Sequence, residues 1–146
     1  MLSYYSTMNN KTITIKAVVK ATLEQVWECW TTPKHIKKWN NANKDWHTTK
    51  VVNELRTGGR FVFRMEAKDG SFGFDFGGTY TKIVPEKQLA YKLDDDRKAI
   101  IDFEEKDDKV TITETFDTED QNPVDMQKQG WQAILDNFKK YVEAHG

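Results

Sequence analysis

Gly130-Trp131-Gln132-Ala133-Ile134-Leu135-Asp136-Asn137-Phe138-Lys139-Lys140-Tyr141-Val142 is the stretch whose reading decides the fold. Trp131, Ile134, Leu135, Phe138, Tyr141 and Val142 recur at the i, i+3, i+4, i+7 spacing of one helical stripe. The segment opens at Asn122-Pro123 and runs to Gly146, which predicts a helix roughly 33 Å long at the α-helical rise. Such a helix is marginal alone in water and needs a partner for its apolar face. The residues ahead of it read as strands, so the partner is a sheet, and helix against curved sheet leaves a concave apolar space of the kind that takes ligands.

Working back from the helix, Val110 to Phe116, Ala99 to Glu104 and Leu89 to Leu93 form short strands separated by Asp107-Asp108 and Asp94-Asp95-Asp96. Tyr80 to Val84 ends at Pro85. It continues a run in which Phe72, Phe74 and Phe76 alternate inward up to Gly77-Gly78, where a bulge or bend is expected. Arg60 to Ala67 alternates Phe61, Phe63 and Met65 inward and meets Asp69-Gly70, a two-residue hairpin signal. Thr48 to Leu55 precedes it, and Asn40 to Asp45 is a polar loop.

At the front of the chain, Ile13, Ile15, Ala17 and Val19 alternate as a half-buried strand. Thr22-x-x-Gln25 is a capping box opening a short amphipathic helix with Val26, Trp27 and Trp30, and Thr32-Pro33 starts a second one ending near Trp39. The order is strand, two short helices, six strands, long helix. Antiparallel meanders need no crossover helices, so the class is α+β rather than α/β: a curved antiparallel sheet of about seven strands around the C-terminal helix. No internal repeat or linker divides the chain, so residues 12–146 form one domain behind a flexible arm of residues 1–11.

Composition narrows the function. The 22 Lys and Arg against 23 Asp and Glu are dispersed, giving a net charge of -1, so the basic footprint of a nucleic-acid binder is missing. No apolar run spans a bilayer and no signal peptide opens the chain. The single cysteine, Cys29, excludes an internal disulfide and suits a cytoplasmic location. The histidines at 35, 47 and 145 have no metal-ligand spacing, and the glycines sit in sheet turns rather than before a helix, so neither a metal site nor a phosphate loop is expected and no cofactor is implied. Cys29, beside Trp30 in a helix, reads as a small buried hydrophobe.

Two polar residues break the apolar pattern. Projecting the helix stripe backward lands on Gln127, with Gly130 at its edge, so the N-terminal half either faces a cavity or overhangs into solvent. Glu114 takes an inward position between Ile112 and Phe116; it is either a ligand-orienting or raised-pKa acid, or it pairs with an arginine such as Arg64, or the strand is exposed near its end. The candidate ligand-binding set is Trp39, Phe61, Phe63, Phe74, Phe76, Glu114, Gln127, Gly130 and Trp131; Trp39, which with Trp46 and His47 flanks the polar loop, either gates a pocket mouth or simply closes the core of the short helices, and the second is preferred.

Several motifs in this order resemble one family: Val26-Trp27 with Trp30-Thr31-Thr32-Pro33 and Ile36-x-x-Trp39; Gly58-Gly59-Arg60-Phe61; Gly78-Thr79-Tyr80 before Ile83-Val84-Pro85; and Gly130-Trp131 leading to Leu135-Asp136-Asn137-Phe138. They resemble the helix-grip, START-like superfamily, and within it the branch named for the C-terminal domain of the heat-shock chaperone ATPase activator. The resemblance implies a cavity between long helix and sheet that holds a small apolar or amphipathic molecule, and it transfers no catalytic set. A cyclase- or hydratase-type enzyme using Glu114 as general acid–base is the alternative, and a chaperone-binding module is a third. The last is weakened because activators of that kind carry a further domain for which this chain has no room.

Overall fold

The computed structural model describes residues 11–145. Seven strands form one antiparallel sheet: β1 (Thr12–Val19), β2 (Trp46–Asn53), β3 (Arg60–Ala67), β4 (Gly73–Val84), β5 (Gln88–Leu93), β6 (Lys98–Lys106) and β7 (Lys109–Asp117). The helices are α1 (Leu23–Thr31), α2 (Pro33–Trp39) and α3 (Val124–His145). Spatial order is β1-β7-β6-β5-β4-β3-β2. The first strand therefore sits at one edge, and α1 with α2 carries the chain to the opposite edge, where the meander begins. The sheet curls around α3, as sheets with strong right-handed twist do. The α+β helix-grip expectation holds. The expected N-terminal arm lies outside the described residues, apart from Lys11, whose carbonyl accepts from Thr118 N–H at 2.9 Å.

Local chemistry explains the elements. Thr22 caps α1 with the reciprocal bond from Gln25, the expected capping box. Thr32 precedes Pro33 at the start of α2, but its side chain makes no cap bond, so proline's fixed φ carries that start alone. The β6–β7 hairpin turns on Asp107 and Asp108, both at positive φ (54° and 62°), the backbone of a type I′ turn. On β1 and β7 alternate residues are buried: Ile13, Ile15, Ala17 and Val19 face Val110, Ile112, Glu114 and Phe116 in the same inner layer. Leu135, Phe138 and Val142 of α3 close that layer. Phe138 lies edge-on to Trp30 and Trp39, at 4.8 Å from each ring, and so fastens α3 to both short helices.

Four local expectations change. The second strand starts at Trp46 rather than Thr48, which places Trp46 opposite Ala67. Asp69-Gly70 is not a two-residue hairpin: β3 ends at Ala67 and β4 begins at Gly73, with Ala67 N–H donating to Phe72 O at 2.8 Å around the longer loop. Phe72 is therefore a loop residue, 62% exposed and packed on Trp46, not part of an inner wall. Gly77-Gly78 carries no bulge; the irregularity in β4–β5 pairing falls between Tyr80 and Lys82. Gly78 is required for closeness instead, since a Cβ there would sit 2.6 Å from Lys92 O. No helix among the described residues is long and apolar enough to cross a membrane.

Candidate functional site

A cavity of about 410 Å³ lies between α3 and the curled sheet. That is within the range of small-molecule sites. All nine residues of the expected set, Trp39, Phe61, Phe63, Phe74, Phe76, Glu114, Gln127, Gly130 and Trp131, line it. Alternation on β3 and β4 brings the phenylalanines together. Phe61 is the hub, 5.4 Å from Phe63, 6.0 Å from Phe76, 5.2 Å from Tyr80 and 4.9 Å from Tyr91 by ring centres. Trp131 of α3 stacks flat on Phe116 at 3.8 Å and meets Phe76 edge-on at 6.0 Å, so one indole spans helix, β7 and β4. Phe74 stands at the rim, 37% exposed, with Trp46 and Phe72 beyond it.

Trp39, which also lines the cavity, is 3% exposed and donates from Nε1 to Cys29 O at 2.9 Å. Trp39 is thus both core and wall. Cys29 is on the buried face of α1, where burial first and then the nearby Glu28 carboxylate push its thiol pKa up, as suits an inert packing residue. His35 is engaged with the Tyr141 hydroxyl, 2.6 Å from its Nδ1. Among the described residues no cluster of His, Cys, Asp or Glu could hold a metal ion.

Glu114 is 6% exposed on the cavity floor, and burial alone raises its pKa from 4.5 to about 8. Arg64 is not its partner; that guanidinium binds Glu66 at 3.0 Å and Asp75 at 3.5 Å on the other side of β3. Gln127 is buried and borders the cavity, but its carboxamide serves the protein itself. Nε2 donates to Glu119 O (2.9 Å) and Asn122 O (2.7 Å), while Oε1 accepts from Glu119 N–H (2.9 Å). Gln127 therefore clamps the β7–α3 loop rather than presenting a free polar head to the cavity. Gly130 meets nothing within 4 Å of where a Cβ would project. A mid-helix glycine costs about 1 kcal/mol against alanine, and here that cost leaves open space.

Further lining residues were not singled out from the sequence. Tyr91 stands on β5, and the inward parity of Leu89 and Leu93 would have pointed to it. Its phenol is pushed well above the usual range, by burial first and then by the Glu114 charge. Arg97, in the β5–β6 turn, pairs with Asp95 at 2.8 Å and reaches the cavity side; nothing in its turn sequence signals that. Glu119 and Met126 bracket the mouth. Burial opposes ionisation of Glu119, but hydrogen bonds from Asn122 and Gln121, with the Arg97 charge, hold its pKa below the usual carboxylate range.

A seven-stranded antiparallel sheet curled around a C-terminal helix, with an aromatic cavity between them, defines a START-like, helix-grip domain. The chain belongs to the Activator of Hsp90 ATPase homolog 1-like protein family, whose model matches residues 20–143. It is similar to the AHSA1-like protein from Aeromonas hydrophila, with 44% identity, a TM-score of 0.88, and 93% of this chain and 94% of that one covered. A protein from Cytophaga hutchinsonii is 43% identical with a TM-score of 0.80, each chain 94% covered. The Aha1 dimer from Colwellia psychrerythraea shares the fold at 16% identity, with a TM-score of 0.71 and coverage of 91% and 96%. No curated protein matches the chain.

Proposed function

We propose that this domain binds a small apolar or amphipathic molecule in the cavity between α3 and the sheet. The observation that carries the reading is the cavity itself: about 410 Å³ walled by aromatic rings from β3, β4, β5 and α3, with a helical glycine leaving one side open. Thermal unfolding with a panel of lipids and aromatic metabolites tests it. A ligand at a hundredfold excess over its Kd stabilises a folded protein by about 2.7 kcal/mol, a rise of several degrees in Tm. Filling the space with Gly130→Phe, which also improves helix propensity, removes that rise while the fold is kept. The proposal fails if no compound raises Tm, or if the filled variant responds as the parent does.

The family match favours a second reading, an interaction module acting on a heat-shock ATPase. On the ligand-binding reading, adding the chain to a purified Hsp90-type chaperone leaves its ATPase rate unchanged. Stimulation that survives Gly130→Phe would move the function from the cavity to the surface. An acid–base role for Glu114 draws support only from its meeting Tyr91 on one floor, and both groups hold their protons at neutral pH.

A further inference from the structure

Glu114 is a polar group without a partner among the described residues. It is 6% exposed, faces the cavity, and shifts through burial alone, with no hydrogen bond or charge contributing. Its register neighbours are Ile15 on β1 and Ile101 on β6, and its neighbours along β7 on the same face are Ile112 and Phe116. None supplies a donor or a cation. Gln127, the polar side chain of α3 on the cavity, is fully engaged with its own loop. Buried polar groups are almost always hydrogen-bonded, and one left alone destabilises the fold. Tyr91 and Arg97 line the same cavity, but neither contributes a hydrogen bond or charge to Glu114, so the direction open to a partner is the cavity itself.

We infer that the cavity takes a ligand whose apolar body carries an uncharged hydrogen-bond acceptor, a carbonyl of the ketone, ester or amide type, seated over β7 so that the Glu114 carboxyl O–H donates to it. This rests on the cavity being a binding site. The carboxyl is the specificity-determining group: it rewards an acceptor at that point of the floor and, once ionised, repels it. Of the other groups lining the cavity, Tyr80 on β4 and Tyr91 on β5 are both raised by burial and stay neutral near neutral pH, and Glu119 in the β7–α3 loop, with its lowered pKa, stays negative, while Arg97 in the β5–β6 turn is paired with Asp95. Glu114 alone titrates in that range, around 8.

A matched pair of probes, acetylnaphthalene and ethylnaphthalene, tests this with the full chain. They share an apolar body and differ in the carbonyl. Well below pH 8 the ketone binds about tenfold more tightly than the hydrocarbon, the worth of one good hydrogen bond. Well above it the advantage disappears. Glu114→Leu abolishes the preference at every pH while both probes still bind. Glu114→Gln, whose amide still donates, keeps the preference and loses its pH dependence, and it carries the test should the leucine variant not fold. Carbon-13 labelling of the ketone reads the bond directly, as a downfield carbonyl shift present in the parent and absent in Glu114→Leu. Equal binding of the two probes to the parent overturns the inference and leaves the cavity reading standing. Binding of neither probe overturns both.

Discussion

Glu114→Gln is expected to be more stable than the parent at alkaline pH, by up to roughly 5 kcal/mol, and nearly equal to it in acid. The sign follows from proton counting. In the folded chain the carboxyl holds its proton to about pH 8, while in the unfolded chain it releases it near 4.5. Between those values the native state binds more protons, so the parent loses stability as pH rises through the window and loses nothing further above it. Each pH unit of that window costs roughly 1.4 kcal/mol, so the full difference is about 5 kcal/mol, an upper bound because water admitted to the cavity shields the carboxylate. Glutamine keeps the shape and cannot ionise. Urea midpoints for both proteins across the window measure the difference, and a gap that does not grow with pH would mean that Glu114 is solvated in solution.

Phe138→Ala is the second large effect, a loss of about 3–5 kcal/mol. The ring is fully buried and sits edge-on to Trp30 and Trp39 at 4.8 Å, where α3 meets both short helices. Removing it leaves a void that three elements cannot close together. Trp131→Ala, two turns earlier on the same stripe, is expected to cost clearly less although the side chain is larger. Trp131 is only half-buried and already borders open space, so its removal widens an existing cavity rather than making a new one. Denaturant midpoints at unchanged m-value give the order. Equal losses would show that the N-terminal half of α3 is packed as tightly as the rest, and would remove the cavity.

The contrast between those two positions marks how far the sequence could be read. Spacing on α3 identified the stripe, and its backward projection found Gln127 and Gly130 at the less apolar end. The structure agrees on place and differs on role. Gln127, left open between cavity and solvent, borders the cavity, but its amide is satisfied by Glu119 and Asn122, partners in a loop whose path no periodicity encodes. Phe72 shows the reverse error. Its parity matched Phe74 and Phe76, yet the hairpin loop extends past it and parity has meaning only within a strand.

What the chain determines by itself is whatever repeats at the period of its own backbone: the alternation of β1 and β7, the capping box at Thr22, the stripe of α3, and hence the α+β class. Those signals are local, because a side chain's face is set by the dihedrals of its immediate neighbours. Which groups meet across the cavity is not local. Tyr91 and Glu114 stand on strands separated by β6, and Arg97 comes from a turn, so only the curl of the sheet around α3 brings them to one space. Burial then decides the chemistry. It settles Glu114, whose inward parity the sequence shows but whose partner it leaves open, as an acid with its pKa raised to about 8.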